Sequence, residues 1–204
     1  GASGIGRGVA EELIARGAQV VIADIERGPL EAVAQQIGAV AVPTDVSSIE
    51  SVQALAQETL RRFGRVDVLC NNAGVGPMGR IEDTTLADWK FMIDVNLWGV
   101  IHGVNVFLPH LVANSDGGHI VNTASQAGLV AFPHAGAYAV TKYGVVALTE
   151  TLAAELAYDH PKVGAGVLCP GPVETRIFQS QRNRPEGLGP AGLHDMSESE
   201  QKSG

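Results

Sequence analysis

Short runs of β-branched and aliphatic residues alternate along the chain with longer stretches whose apolar positions recur every three or four residues. Residues 19–23, 40–42, 66–70, 119–123 and 164–168 read as strands buried on both faces. Between them the spacing predicts helices. In 7–16, Val9, Leu13 and Ile14 share a face and Gly17 supplies the stop. A second helix runs from about Leu30 to Ile37 and ends at Gly38; a third covers 49–63, opened by Ser47 or Ser48 and closed by Gly64. A long, very apolar helix fits 86–111 and another fits 138–158. Strands alternating with helices at this spacing predict an α/β fold, a doubly wound parallel sheet with crossover helices on both faces. There is no solenoid-type repeat.

The ends depart from this order. Gly1 to Gly6 form a glycine-rich loop leading directly into a helix, and the tail 179–204 is rich in Gly, Pro, Ser and charge. The expectation is a single domain over 1–204 whose first and last strands lie outside these residues, with 176–204 a flexible segment covering the substrate site.

Composition narrows the class. A chain of 204 residues holds one α/β domain and is short for two. With 14 Lys+Arg against 22 Asp+Glu, the net charge of -8 argues against a nucleic-acid partner, which requires concentrated positive charge. Hydrophobic residues at 45% and charged residues at 18% argue against disorder. No uninterrupted apolar run reaches the roughly 18–20 residues of a membrane span, and no basic-then-apolar leader opens the chain, so the expected setting is cytoplasmic, without a membrane partner. Cys70 and Cys169 each end an apolar run and read as packed strand thiols; no Cys/His cluster has the spacing of a metal site.

The candidate chemistry sits in the turns after the strands. Ser3, Gly4, Ile5 and Gly6 precede an amphipathic helix, where backbone N–H groups and the helix dipole favour a phosphate; a plain tight turn would look the same. Asp24 ends the strand 18 residues after Gly6, where a carboxylate can accept from both hydroxyls of an adenosine ribose and repel a 2′-phosphate. Asp45 and Val46 follow the next strand, and Asn71, Asn72, Ala73 and Gly74 the one after. All lie on the carboxyl edge, where open parallel sheets bind ligands. Asp45 can address an adenine amino group, while Asn71 can equally tie neighbouring strand ends together.

Tyr138 and Lys142 are four apart on one helix face, so an ammonium stands near a phenol and favours its ionised form. Tyr158 and Lys162 share the spacing, but Pro161 intervenes where the helix ends. Ser125 lies just past a strand, 13 residues before Tyr138, where a short loop can bring its hydroxyl beside the phenol to hold one carbonyl oxygen. Alternatively it satisfies local backbone. Asn96 sits inside the apolar helix and needs partners, which a water linking it to Lys142 would supply; it can also be a polar plug that kinks the helix.

Together these motifs resemble the short-chain dehydrogenase/reductase family in its one-domain, Rossmann-type form. Gly1, Ala2 and Ser3 match the variable positions of the family's Thr-Gly-x-x-x-Gly-x-Gly turn, Gly4 and Gly6 its last two glycines; the matching Thr and first Gly would precede residue 1. The segment Asn71 to Gly74, Asn96, Ser125, Tyr138 with Lys142, and Pro170 to Thr175 follow in the family's order and spacing. The resemblance implies hydride transfer between a nicotinamide cofactor and an alcohol/carbonyl pair. Tyr138 would be general acid or base, Ser125 would polarise the substrate oxygen, Lys142 would lower the phenol pKa and hold the nicotinamide ribose, and Asn96 would anchor a relay water. Pro170, Gly171, Val173 and Thr175 would cover the nicotinamide. Ser3 and Asp24, where NADP-preferring members commonly carry basic residues, imply NAD.

The loop 126–137, with Leu129, Val130 and Phe132, is expected to line an apolar pocket together with 76–78 and the segment after Thr175; His134 reads as a loop residue there. The helix 86–111 is apolar around much of its circumference, and the resemblance implies that it pairs subunits in a homodimer or homotetramer. The expected substrate is a small, largely apolar secondary alcohol or ketone. The rival readings are a non-catalytic nucleotide-binding sensor or scaffold on the same fold, and an epimerase or dehydratase, which would need a larger substrate domain.

Overall fold

The computed structural model describes residues 1–195. Its elements are α1 (Gly4–Ala15), β1 (Val21–Asp24), α2 (Arg27–Ile37), β2 (Val40–Pro43), α3 (Ile49–Phe63), β3 (Val68–Asn71), α4 (Leu86–Ile93), α5 (Gly99–Ala113), β4 (Gly118–Thr123), α6 (Gly136–Asp159) and β5 (Val163–Leu168). Every expected strand is present, and every expected helix except 86–111 is continuous, with ends displaced by a few residues. The α3 bounds coincide with those read from the sequence because both caps are strong. Ser48 Oγ accepts from the Ser51 amide at 3.2 Å, and Gly64 closes the helix at φ 74°.

All strand pairs are parallel. β1 pairs with β2, and β3–β4–β5 form a second ladder, with helices on both sides in a Rossmann-like arrangement. Each ladder has its own core. Ala10, Ile22, Leu30 and Val33 pack around β1 and β2. Val100, Phe107 and Leu111 of α5 meet Ile120 of β4 and Val145 and Leu152 of α6 in the larger one. β1 and β3 are not paired with each other, and on β3 Val68 is 46% exposed and Cys70 exposed beside it. Of the two thiols expected to be packed, Cys169 is half-buried and Cys70 is exposed among the described residues.

The long apolar helix is broken. Between α4 and α5, residues Asp94–Trp98 form a π-helical turn, and Pro109 lies within α5. A π turn shifts the hydrogen-bond register by one residue and swings a side chain out of its ideal place; such turns concentrate at functional sites. The residue in its middle is Asn96. The span Leu86–Ala113 is long and apolar enough to cross a membrane by composition, yet it packs here on α3, α6, β3 and β4.

One polar chain ties the strand ends. Asn71 Nδ2 donates to Asn122 Oδ1 (2.8 Å), and Asn122 Nδ2 donates to Thr149 Oγ1 (2.9 Å), linking β3, β4 and α6. Gly103 of α5 makes room, since a Cβ there would stand 2.0 Å from Asn71 Oδ1. Of the two roles open to Asn71, the structure displays the tie between strands.

Candidate active site

A cleft of about 500 Å³ runs along the carboxyl edge of the strands. Gly1, Ser3, Gly4 and Ile5 meet Asp24, Asp45 and Val46 at one end; Asn72 to Val75 lie in the middle; Ser125, Tyr138 and Lys142 stand at the other end, roofed by Pro170 to Thr175. Among the expected site residues, Gly6 and Asn96 do not line it. Gly6 packs behind the turn, where a Cβ would stand 2.8 Å from Asn72 Nδ2.

The glycine turn is held by Asp24. Its Oδ2 accepts from the Gly1 and Ala2 nitrogens, each at 3.0 Å, and Oδ1 accepts from the Glu26 amide at 3.1 Å. Burial pushes the carboxyl up, but the hydrogen bonds it accepts from the Gly1 nitrogen and the amides of Ala2 and Glu26 outweigh it and hold the pKa below the ordinary value. Three of about four acceptor positions are thus used, which leaves one for a ribose hydroxyl. Gly4 takes φ +52° against Thr175, where a Cβ would stand 2.8 Å from the Thr175 methyl. Only glycine brings helix α1's N-terminus this close to the roof. Asp45 is partly engaged by the amide (2.9 Å) and hydroxyl (2.7 Å) of Ser47.

Lys142 is buried at 2% exposure, with Nζ donating to the Thr123 carbonyl at 2.9 Å and lying 5.5 Å from the Tyr138 ring centroid. Burial pushes its pKa down to about 8, opposed weakly by Cys169. Burial also pushes the Tyr138 phenol up, while a hydrogen bond with Ser125 pulls it back in part. Ser125 Oγ accepts from the Ala127 amide at 3.2 Å, which orients it at the start of the loop. Phenol, hydroxyl and ammonium therefore converge where substrate would lie, with the phenol protonated at neutral pH. The decoy pair does not converge: Tyr158 is 88% exposed, and Lys162 donates to the Ser115 carbonyl at 2.8 Å.

Fully buried Asn96 finds protein partners. Its Oδ1 accepts from the Val75 amide (2.8 Å), and its Nδ2 donates to the Val75 carbonyl (2.9 Å) and Thr141 Oγ1 (3.2 Å). It pins the turn after β3 to α6, one residue before Lys142. The substrate walls also differ from expectation. Leu129 (55% exposed) and Val130 (57%) are outside the cleft, as is His134, whose φ of 65° turns the loop away. Phe132 and Met78 do line it, joined by Phe91 and Val95 from the broken helix and by Ile177 and Phe178 from the roof. Ile177 and Phe178 belong to the segment after Thr175 that was expected there; Phe91 and Val95 were not expected, because a buried apolar residue looks the same in sequence whether it faces a core or a pocket.

The roof continues over this end. Gly76 N donates to Ser180 Oγ (3.0 Å), Met78 bridges to His194, and Leu193 packs with Tyr138 and Phe91. Asp88, fully buried, anchors the cover. It accepts from Arg184 Nη1 (2.7 Å), the Gly192 amide (2.9 Å) and the Leu193 amide (3.3 Å) while also capping α4 through Thr85. Of the cover expected over 176–204, residues 176–195 run as a strap beside the cleft; residues 196–204 lie outside the described residues.

The family model for short chain dehydrogenases matches residues 1–186. The chain belongs to the short-chain dehydrogenase/reductase family. An uncharacterized oxidoreductase of Staphylococcus saprophyticus is 39% identical over 178 residues, covering 86% of this chain and 72% of that one. A short-chain dehydrogenase/reductase of Burkholderia phymatum, solved in complex with NAD, superposes with a TM-score of 0.91 at 40% identity, covering 99% of this chain and 73% of that one. An alcohol dehydrogenase of Thermococcus sibiricus, complexed with 5-hydroxy-NADP, gives 0.80 at 32% identity, covering 86% and 75%. Family membership makes this chain an oxidoreductase, with both nicotinamide cofactors seen among its structural neighbours.

Proposed function

We propose that this chain transfers a hydride between NAD(H) and a small, largely apolar secondary alcohol or ketone. The observation that carries the reading is the buried Tyr138–Lys142 pair beside Ser125, at the far end of the cleft that begins at the glycine turn. The residues present suit a dinucleotide. The Gly4 approach leaves no space for a Cβ, the N-terminus of α1 offers its amides to a pyrophosphate, and Asp24 keeps one acceptor position for a ribose hydroxyl. Ser3, Ile5, Asp45, Val46, Asn72, Ala73, Gly74, Pro170, Gly171, Val173 and Thr175 would complete the binding surface.

When bound, the nicotinamide gives or takes the hydride. Tyr138 holds the proton that moves to the carbonyl oxygen in reduction and receives it in oxidation. Ser125 donates to the same oxygen and steadies its developing charge. Lys142 sets the phenol's electrostatic surroundings, and Asn96 fixes the Val75 turn against the cleft. Phe91, Val95, Ile177 and Phe178 exclude water and favour an apolar substrate. We place the protein in the cytoplasm, a reducing setting that suits its free thiols Cys70 and Cys169. We also assign it a homo-oligomeric state through the exposed α5/α6 face, where Trp98 is 48%, Val140 53% and Tyr143 44% exposed. Sedimentation at micromolar concentration, with Tyr143→Glu as the disrupting variant, tests that state.

The functional test is oxidation of a panel of secondary alcohols followed by reduced-nicotinamide absorbance. Tyr138→Phe should lower kcat by about 10³-fold while leaving NADH affinity within about threefold. A Tyr138→Phe variant with the parent's rate rejects the mechanism, and tight NADH binding with no turnover on any alcohol or ketone favours the sensor reading.

A further inference from the structure

Two arginines of the roof reach the adenosine end of the cleft and meet a second carboxylate there. Glu26 follows β1, two residues after Asp24 and in the same turn, its amide hydrogen-bonded to Asp24 Oδ1. Its own carboxylate is shared. Oε1 accepts from Arg182 Nε, and Oε2 lies 3.5 Å from Arg176 Nη1. Arg182 is held further by donating to the carbonyl oxygens of Arg176 (3.2 Å) and Gln179 (2.5 Å). Asp24, Ile25, Arg176 and Arg182 all line the cleft.

We infer that Glu26 is a determinant of cofactor choice that acts by keeping Arg176 and Arg182 occupied, so that neither is offered to a 2′-phosphate. The inference rests on the nucleotide reading of this cleft. A guanidinium is the side chain best matched to a phosphate, since its planar fork makes paired, charge-assisted hydrogen bonds. Two guanidiniums beside a ribose site would ordinarily favour the phosphorylated cofactor. Here two carboxylates, Asp24 and Glu26, balance them. Asp24 addresses the ribose, and Glu26 accepts from Arg182 Nε and stands in ion-pair range of Arg176. An uncharged ribose 2′-hydroxyl leaves the Glu26 pairs intact. A 2′-phosphate, with nearly two negative charges, meets Asp24 directly and finds the nearby cations already paired. The NAD preference thus has two separable parts, one repulsive and one that withholds attraction. The second part has no signature in the turn itself, because its partners come from residues 150 or more positions away in the chain.

The test is a titration with NADH and NADPH, followed by nicotinamide fluorescence, on the parent protein, Glu26→Gln, Asp24→Asn and the double variant. Glu26→Gln should shift the ratio of the two dissociation constants toward NADPH by about tenfold, in the parent and in the Asp24→Asn background alike. The gain should vanish when Arg182→Ala and Arg176→Ala are added, and should shrink between about 50 and 300 mM salt. If Glu26→Gln weakens both nucleotides equally, or leaves the ratio unchanged, Glu26 is a structural clasp and the inference is overturned. Preference of the parent for NADPH overturns it as well. Failure of the parent to bind either nucleotide instead rejects the underlying cofactor reading.

Discussion

The buried ammonium of Lys142 makes a quantitative statement about stability. At 2% exposure its pKa falls from the ordinary 10.5 to about 8, with burial as the main cause. Between those values the unfolded chain binds the proton and the folded chain does not, so stability must rise with pH through this window. Below about 8 both states are protonated and the penalty is present in full; above 10.5 it is gone. The interval corresponds to about 3 kcal/mol. The perturbation is Lys142→Met, which keeps the length and packing of the side chain and removes the titration. Urea unfolding of parent and variant, without cofactor, at pH 7 to about 10.5 isolates this one group, since all others titrate in both proteins. The parent should gain about 3 kcal/mol on the variant across that range. Parallel curves would show that the ammonium is solvated and that the dry site described above is mistaken.

Three other outcomes follow from the same physics. Burial raises the Asp88 carboxyl, but the Gly192 amide, the Thr85 hydroxyl and amide and Arg184 outweigh it, so its pKa lies below the ordinary value. Its contribution is therefore present above the unfolded pKa and lost as pH falls through the folded one. Asp88→Asn should cost about 3 kcal/mol at pH 7 and flatten acid denaturation, by urea titration at several pH values. Gly103→Ala should destabilise by about 1–3 kcal/mol, because its methyl displaces Asn71 from Asn122; thermal unfolding at matched pH checks this. With Tyr138 pushed up by burial, alcohol oxidation should accelerate with rising pH while ketone reduction slows, and identical pH–rate profiles in the two directions would remove Tyr138 from the proton step.

The strand–helix alternation was legible because each strand is a compact apolar run and each turn carries its own punctuation. Gly38 and Gly64, both left-handed, stop α2 and α3 where their spacing says they should. The site was legible because Ser125, Tyr138 and Lys142 follow from one strand end and one helix face. What escaped depends on contacts distant in sequence. The π turn around Asn96 has no local propensity, since it answers to Val75, 21 residues back, and Thr141, 45 ahead. Likewise Phe91 and Val95 are ordinary core residues until the strap places them around a cavity. Leu129 and Val130 misled because their loop turns outward at His134, a left-handed residue that no glycine announces.

Asp88 joins two jobs that proteins usually keep apart. The oxygen that receives the Gly192 and Leu193 amides is also the one that closes the first turn of α4 on Thr85. Were the strap displaced, the start of α4 would therefore lose donors, with Trp89 the very next residue. With the second indole, Trp98, replaced, Trp89 emission would report that change without any label.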